Sequence, residues 1–76
     1  MSLPGSEDII KALLKAGFLP RGKSKRGSHR VFRKELPGGT RTTVVPLDKK
    51  EIPLGTLSSI LRQAGLTRKQ LDSLMK

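Results

Sequence analysis

His29 is the single imidazole in a chain of 76 residues, and it sits in a run of cations. The stretch reads Lys25-Arg26-Gly27-Ser28-His29-Arg30, with Arg33 close behind. Imidazole is the side chain that exchanges a proton near neutral pH. Cleaving RNA needs such a group to take the proton from a 2′-hydroxyl. It also needs positive charge against the phosphorane that follows. Lys25, Arg26, Arg30 and Arg33 are near enough in sequence to supply that charge, and Ser28 stands beside the ring. The competing reading is a lone surface histidine with no role. Cleavage also takes an acid, and there is no second imidazole to provide it. A cation or Ser28 would have to help, or His29 would carry both protons.

The overall charge points the same way. Sixteen Lys and Arg face six Asp and Glu, a formal net charge of +10. Half of the basic residues lie between Arg21 and Arg41. Such a density neutralises several phosphates, and binding of that kind weakens steeply with salt. The alternatives are a solvated face that keeps the protein dissolved, or a surface for an acidic protein.

Composition excludes more than it proves. With no Cys there is no Cys-based zinc site, disulfide or thiol nucleophile. One His excludes a multi-histidine metal site. Trp and Tyr are absent, and Phe18 and Phe32 both read as core, so a base-stacking platform is not expected. Asp48 and Glu51 share a Lys-rich loop and read as surface ion pairs with Lys49 and Lys50 rather than as metal ligands. Gly38-Gly39 runs into a strand, which makes it a tight turn and not a phosphate loop. The chemistry expected is acid–base, with no metal and no cofactor. No apolar run reaches the roughly 18 residues of a membrane helix, and no signal-type h-region is present. The expected location is the cytoplasm.

Few elements are needed to place these groups. Residues 1–5 read as a flexible tail. Ser6-Glu7-Asp8 reads as a helix start, with Ser6 accepting from free N–H groups and the carboxylates at the positive end of the dipole. Ile9, Ala12, Leu13 and Ala16 follow at helical spacing, and Gly17 ends the helix. Ser28–Arg33 and Arg41–Val45 read as strands around a Leu36-Pro37-Gly38-Gly39 turn. Leu19–Lys23 supplies a third strand. Strand alternation sets Ser28, Arg30 and Phe32 on one face and His29, Val31 and Arg33 on the other. If Phe32 faces the helices, His29 lies on the open face. Pro46–Pro53 reads as a polar connector. A second helix opens at Leu54-Gly55-Thr56, carries Leu57, Ile60, Leu61 and Ala64, and stops at Gly65. Thr67-Arg68-Lys69-Gln70 fits a capping box for a short third helix with Leu71, Leu74 and Met75. The sum is a single α+β domain over residues 1–76, an antiparallel sheet covered on one face by helices.

Four stretches in this order resemble the HicA-type (YcfA-like) toxins of toxin–antitoxin pairs. They are residues 10–18 (Ile-Lys-Ala-Leu-Leu-Lys-Ala-Gly-Phe), residues 25–29 (Lys-Arg-Gly-Ser-His), residues 42–47 (Thr-Thr-Val-Val-Pro-Leu) and residues 55–66, from Gly55-Thr56-Leu57 to Ala64-Gly65-Leu66. The resemblance implies a double-stranded-RNA-binding-like α-β-β-β-α fold. It implies an endoribonuclease that cleaves mRNA and halts translation, with the functional His of the Gly-Ser-His motif at His29. It also implies a HicB-type antitoxin that covers the basic face. Many relatives carry another His where this chain has Leu47-Asp48. Outside the resemblance, a non-catalytic RNA-binding module or a protein-interaction module for an acidic partner stays open.

Overall fold

The computed structural model describes residues 3–22 and 28–76. Their order is α1 (Ser6–Lys15), β1 (Leu19–Arg21), β2 (His29–Leu36), β3 (Gly39–Pro46), α2 (Leu54–Ala64) and α3 (Arg68–Leu74). The three strands form one antiparallel sheet in the order β1-β2-β3. Helices cover one face, which gives the two-layer α+β fold expected from the residue pattern.

Both long helices are closed by the same device. In α1 the N–H of Gly17 donates to Leu14 O at 3.1 Å and that of Phe18 to Leu13 O at 2.9 Å. In α2 Gly65 donates to Arg62 O at 3.2 Å and Leu66 to Leu61 O at 2.9 Å. This paired pattern satisfies two otherwise free carbonyls and requires a left-handed residue. Gly17 (φ 97°) and Gly65 (φ 72°) supply it. Phe18 and Leu66 are then thrown back toward the core, where Phe18 is fully buried.

The core joins Ile9, Ala12 and Leu13 of α1, Phe32 and Val45 of the hairpin, Leu57, Ile60 and Ala64 of α2, and Leu71 of α3, together with Phe18 and Ile52. Thr43 is the buried polar residue facing α2; its hydroxyl donates to Gln63 Oε1 at 2.9 Å. The α3 capping box forms as expected: Gln70 N–H donates to Thr67 Oγ1 at 3.1 Å and Thr67 N–H to Gln70 Oε1 at 2.8 Å.

Three local expectations change. The strands run longer than expected, because Leu36 pairs with Gly39 and leaves only Pro37-Gly38 in the loop. β1 is shorter, ending at Arg21, and Lys23 lies outside the described residues. Pro20 lacks the N–H a central strand would use, and it is accommodated because β1 is an edge. The start of α1 is built differently as well. The N-cap is Gly5, whose N–H is held by Asp8 Oδ2 at 3.0 Å. Ser6 is buried within the first turn and turns its hydroxyl elsewhere. Where a tail was expected, Pro4 and Gly5 are buried. Ile52 N–H donates to Pro4 O at 2.8 Å and Leu3 N–H to Glu51 Oε2 at 3.1 Å.

Candidate active site

Register decides which side chains meet His29. Residues facing each other across antiparallel strands share a face. His29 stands opposite Pro46, Val31 opposite Val44 and Arg33 opposite Thr42; on the other side Arg21 stands opposite Val31 and Leu19 opposite Arg33. Phe32, opposite Thr43, is buried against the helices. His29, Val31, Arg33, Arg21 and Leu19 therefore share the helix-free face. The ladder continues one step past His29, where Leu47 N–H donates to Ser28 O at 2.7 Å. The backbone carrying Ser28 and His29 is thus fixed to the end of β3.

His29 is exposed, and its Nδ1 lies 3.0 Å from Ser28 Oγ. No other protein hydrogen bond to the ring occurs among the described residues. When Nδ1–H donates to Ser28 Oγ, Nε2 holds the free lone pair. Beside the ring opens a groove of about 670 Å³ lined by Ser28, His29, Leu47, Asp48, Lys49 and Thr56, with Pro46 and Pro53. Its far wall is the first turn of α2. That helix begins after Pro53 with no side-chain cap and no acidic residue in its first turn, so the positive end of its dipole is not neutralised from within the helix.

The expected phosphate-binding residues separate. Ser28 touches His29 directly. Arg33 is on the same face, but four residues along β2, about 13 Å away at the rise of a strand. Its guanidinium lies 3.8 Å from Glu35. Arg30 stands opposite the buried Val45, on the helix-covered side, and is exposed there at the sheet margin. Arg30 thus lies on the side opposite His29, where strand alternation puts it. Lys25 and Arg26 lie outside the described residues.

Two cations of the hairpin are occupied by architecture. Lys34 Nζ donates to Ala16 O at 2.6 Å and stands 5.9 Å from the centre of the Phe18 ring. Arg41, its cross-strand partner, lies over Gly65 so closely that a Cβ there would sit 2.6 Å from Cζ. Each cation meets the negative end of a helix, a favourable arrangement. The expected pairing of Asp48 and Glu51 with Lys49 and Lys50 is not formed among the described residues, whose ion pairs are Arg33–Glu35 and Arg68–Asp72. Glu51 accepts from the N-terminal backbone instead. No three His, Asp or Glu side chains gather into a metal-binding group among the described residues. No helix there is long and apolar enough to cross a membrane.

Sequence reasoning missed Lys49 and Arg21. Lys49 lies in a segment that reads as a plain connector. The signal was the two-residue turn: pairing Leu36 with Gly39 carries Pro46 to His29 and brings the connector alongside the imidazole.

The model of the family described as the HicA toxin of bacterial toxin–antitoxin systems matches residues 6–66. Among curated proteins, no sequence matches this chain. The family match runs from the start of α1 to the closing turn of α2 and takes in the strands, Ser28, His29 and every other residue that lines the groove. The chain belongs to the HicA family and is the toxin of a toxin–antitoxin pair, with an antitoxin as its partner.

Proposed function

We propose that the chain is a metal-independent endoribonuclease that cleaves mRNA and blocks translation, with His29 as the general base. The observation that carries this reading is the placement of His29. It is an exposed imidazole, held at Nδ1 by Ser28, on the rim of an open groove at the end of a helix-free sheet face. An RNA strand laid across that face meets Arg33 and Arg21 on the strands. Lys25 and Arg26, just before Ser28 in sequence, and Arg30 at the margin add phosphate contacts.

In the cleavage step His29 Nε2 takes the proton of a ribose 2′-hydroxyl. The 2′-oxygen attacks the adjacent phosphorus, a 2′,3′-cyclic phosphate forms, and the bond to the 5′-oxygen breaks. The same imidazole, now protonated, returns a proton to the leaving 5′-oxygen, which departs as a hydroxyl. Atoms and charge balance with one titrating side chain. General acid–base catalysis of this kind supplies about 10²- to 10⁴-fold. A HicB-type antitoxin would act by covering the helix-free face and His29.

Replacing His29 with Ala tests the reading. The expected result is loss of RNA cleavage and of growth inhibition with an unchanged melting temperature, since His29 is exposed. A His29→Ala chain that still cleaves and still arrests growth overturns it.

A further inference from the structure

The groove beside His29 holds one further cation, Lys49, which the general-base mechanism does not use. We propose that Lys49 is the cation that meets the scissile phosphate, and that Ser6 is the positioning residue that fixes the loop presenting it. The proposal rests on the ribonuclease reading above and supplies what that reading lacks: positive charge at the reacting phosphorus.

Among the remaining described cations of the strands, Arg21 shares the face of His29 but does not line the groove, and the others are poorly placed for this task. Arg33 stands about 13 Å along the strand from His29 and next to Glu35. Arg30 points to the opposite side of the sheet. Lys34 and Arg41 are drawn to the ends of α1 and α2. Lys49 lines the same groove as His29, and no acidic side chain pairs with it among the described residues.

Its backbone is held from several sides. The buried Ser6 hydroxyl donates to Pro46 O at 2.6 Å and accepts from Lys49 N–H at 3.0 Å. The Ser6 N–H donates to Lys49 O at 2.9 Å. One residue of α1 thereby fixes both ends of the segment 46–49. Within it Asp48 adopts a left-handed backbone (φ 58°), a conformation Asp tolerates better than most residues. Gly5 closes the arrangement from outside: a Cβ there would lie 2.5 Å from Lys50 O and 2.9 Å from Lys49 O. The backbone of Lys49 is thereby held, and a cation on a preset backbone stabilises developing charge with little reorganisation.

Asp48 gives the assignment a sign to check, because its carboxylate lines the same groove. A phosphate entering there meets one negative and one positive side chain from adjacent positions. Removing Lys49 leaves the repulsion of Asp48 uncompensated. Removing the charge of Asp48 leaves the attraction intact.

The test is single-turnover cleavage of an mRNA by the full chain at fixed ionic strength. RNA affinity is measured separately, with each variant carried on a His29→Ala background so that binding is read without cleavage. Lys49→Ala should slow cleavage on the order of 10- to 100-fold, less than for a buried oxyanion donor because Lys49 is exposed, while RNA affinity changes less than about threefold. Lys49→Arg should recover most of the rate. Asp48→Asn should cleave as fast as the parent chain or faster. Ser6→Ala should lower the rate without changing affinity, and more than a variant of matched melting temperature altered far from the groove. A Lys49→Ala chain that cleaves at the parental rate overturns the proposal. So does one whose rate falls only as far as its affinity, or an Asp48→Asn chain that loses cleavage. If His29→Ala cleaves normally, the ribonuclease reading fails first; if His29→Ala is inactive and Lys49→Ala is normal, only the assignment of Lys49 fails.

Discussion

The β2–β3 hairpin carries charged side chains at both ends, and the two ends use them differently. At the turn end the cations are engaged. Lys34 donates to the carbonyl of Ala16 at the end of α1, Arg41 lies over the end of α2, and Arg33 approaches Glu35. At the open end they are not. Among the described residues the His29 ring hydrogen-bonds only to its neighbour Ser28, and Lys49 and Asp48 line a groove with no ion pair. Both ends look alike as charge density. What separates them is the supply of acceptors: helices end in unsatisfied carbonyls that attract cations, and the ends of α1 and α2 lie beside Lys34 and Arg41. Lys34 and Arg41, beside helix C-termini, are thereby engaged by the fold, while Lys49, beside the first turn of α1, has no ion pair among the described residues.

That contrast can be broken from either end. The largest effect belongs to the open end. His29→Ala should reduce cleavage by about 10²- to 10⁴-fold while the melting curve stays in place, read by a gel-based cleavage assay beside thermal denaturation. Next comes Gly5→Ala, which drives a Cβ into the carbonyls of Lys49 and Lys50. It should cost about 1–3 kcal/mol in denaturant unfolding, the usual range for overpacking, and should slow cleavage by displacing the loop. At the turn end the signs reverse. Lys34→Ala removes a hydrogen bond to a helix end and should cost about 1–2 kcal/mol, with the cleavage rate of the folded fraction unchanged. A loss of RNA cleavage without a loss of stability in that variant would dissolve the distinction between the two ends. The smallest effect is electrostatic. Arg21→Ala combined with Arg33→Ala should lower the slope of log affinity against log salt by about 0.7 for each phosphate left without its cation, without altering the cleavage rate at saturating RNA. An unchanged slope would take those two residues off the RNA path.

Much of this architecture is legible in the residues. The helical stripe of Ile9, Ala12 and Leu13, the stop signals at Gly17 and Gly65 and the Thr67-to-Gln70 capping box all express short-range physics, and all form. Alternation by itself places His29 away from Phe32, and the same rule sets Arg30 on the wrong side for a shared face. The rest depends on pairings between distant residues. Ser6 has the right chemistry for an N-cap, but it lies one position too late and is claimed by a loop 43 residues further on. Asp48 and Glu51 look like partners for Lys49 and Lys50 until Glu51 is drawn to the Leu3 N–H. Lys34 reads as one more surface charge until the end of α1 arrives beside it. In each case a polar group with two local options is taken by a third that sequence spacing does not reveal.

The clamp at residues 4–6 also bears on when the site comes into being. Synthesis runs from the N-terminus, so Ser6 emerges first and waits for Pro46 and Lys49, while Pro4 waits for Ile52. Thr56, on the far wall of the groove, arrives later still. A growing chain that ends before the first turn of α2 has its imidazole but neither the wall nor the anchored core that frames it. The imidazole, the Lys49 loop and the far wall of the groove therefore come together only once residue 56 has been made, well after His29 itself.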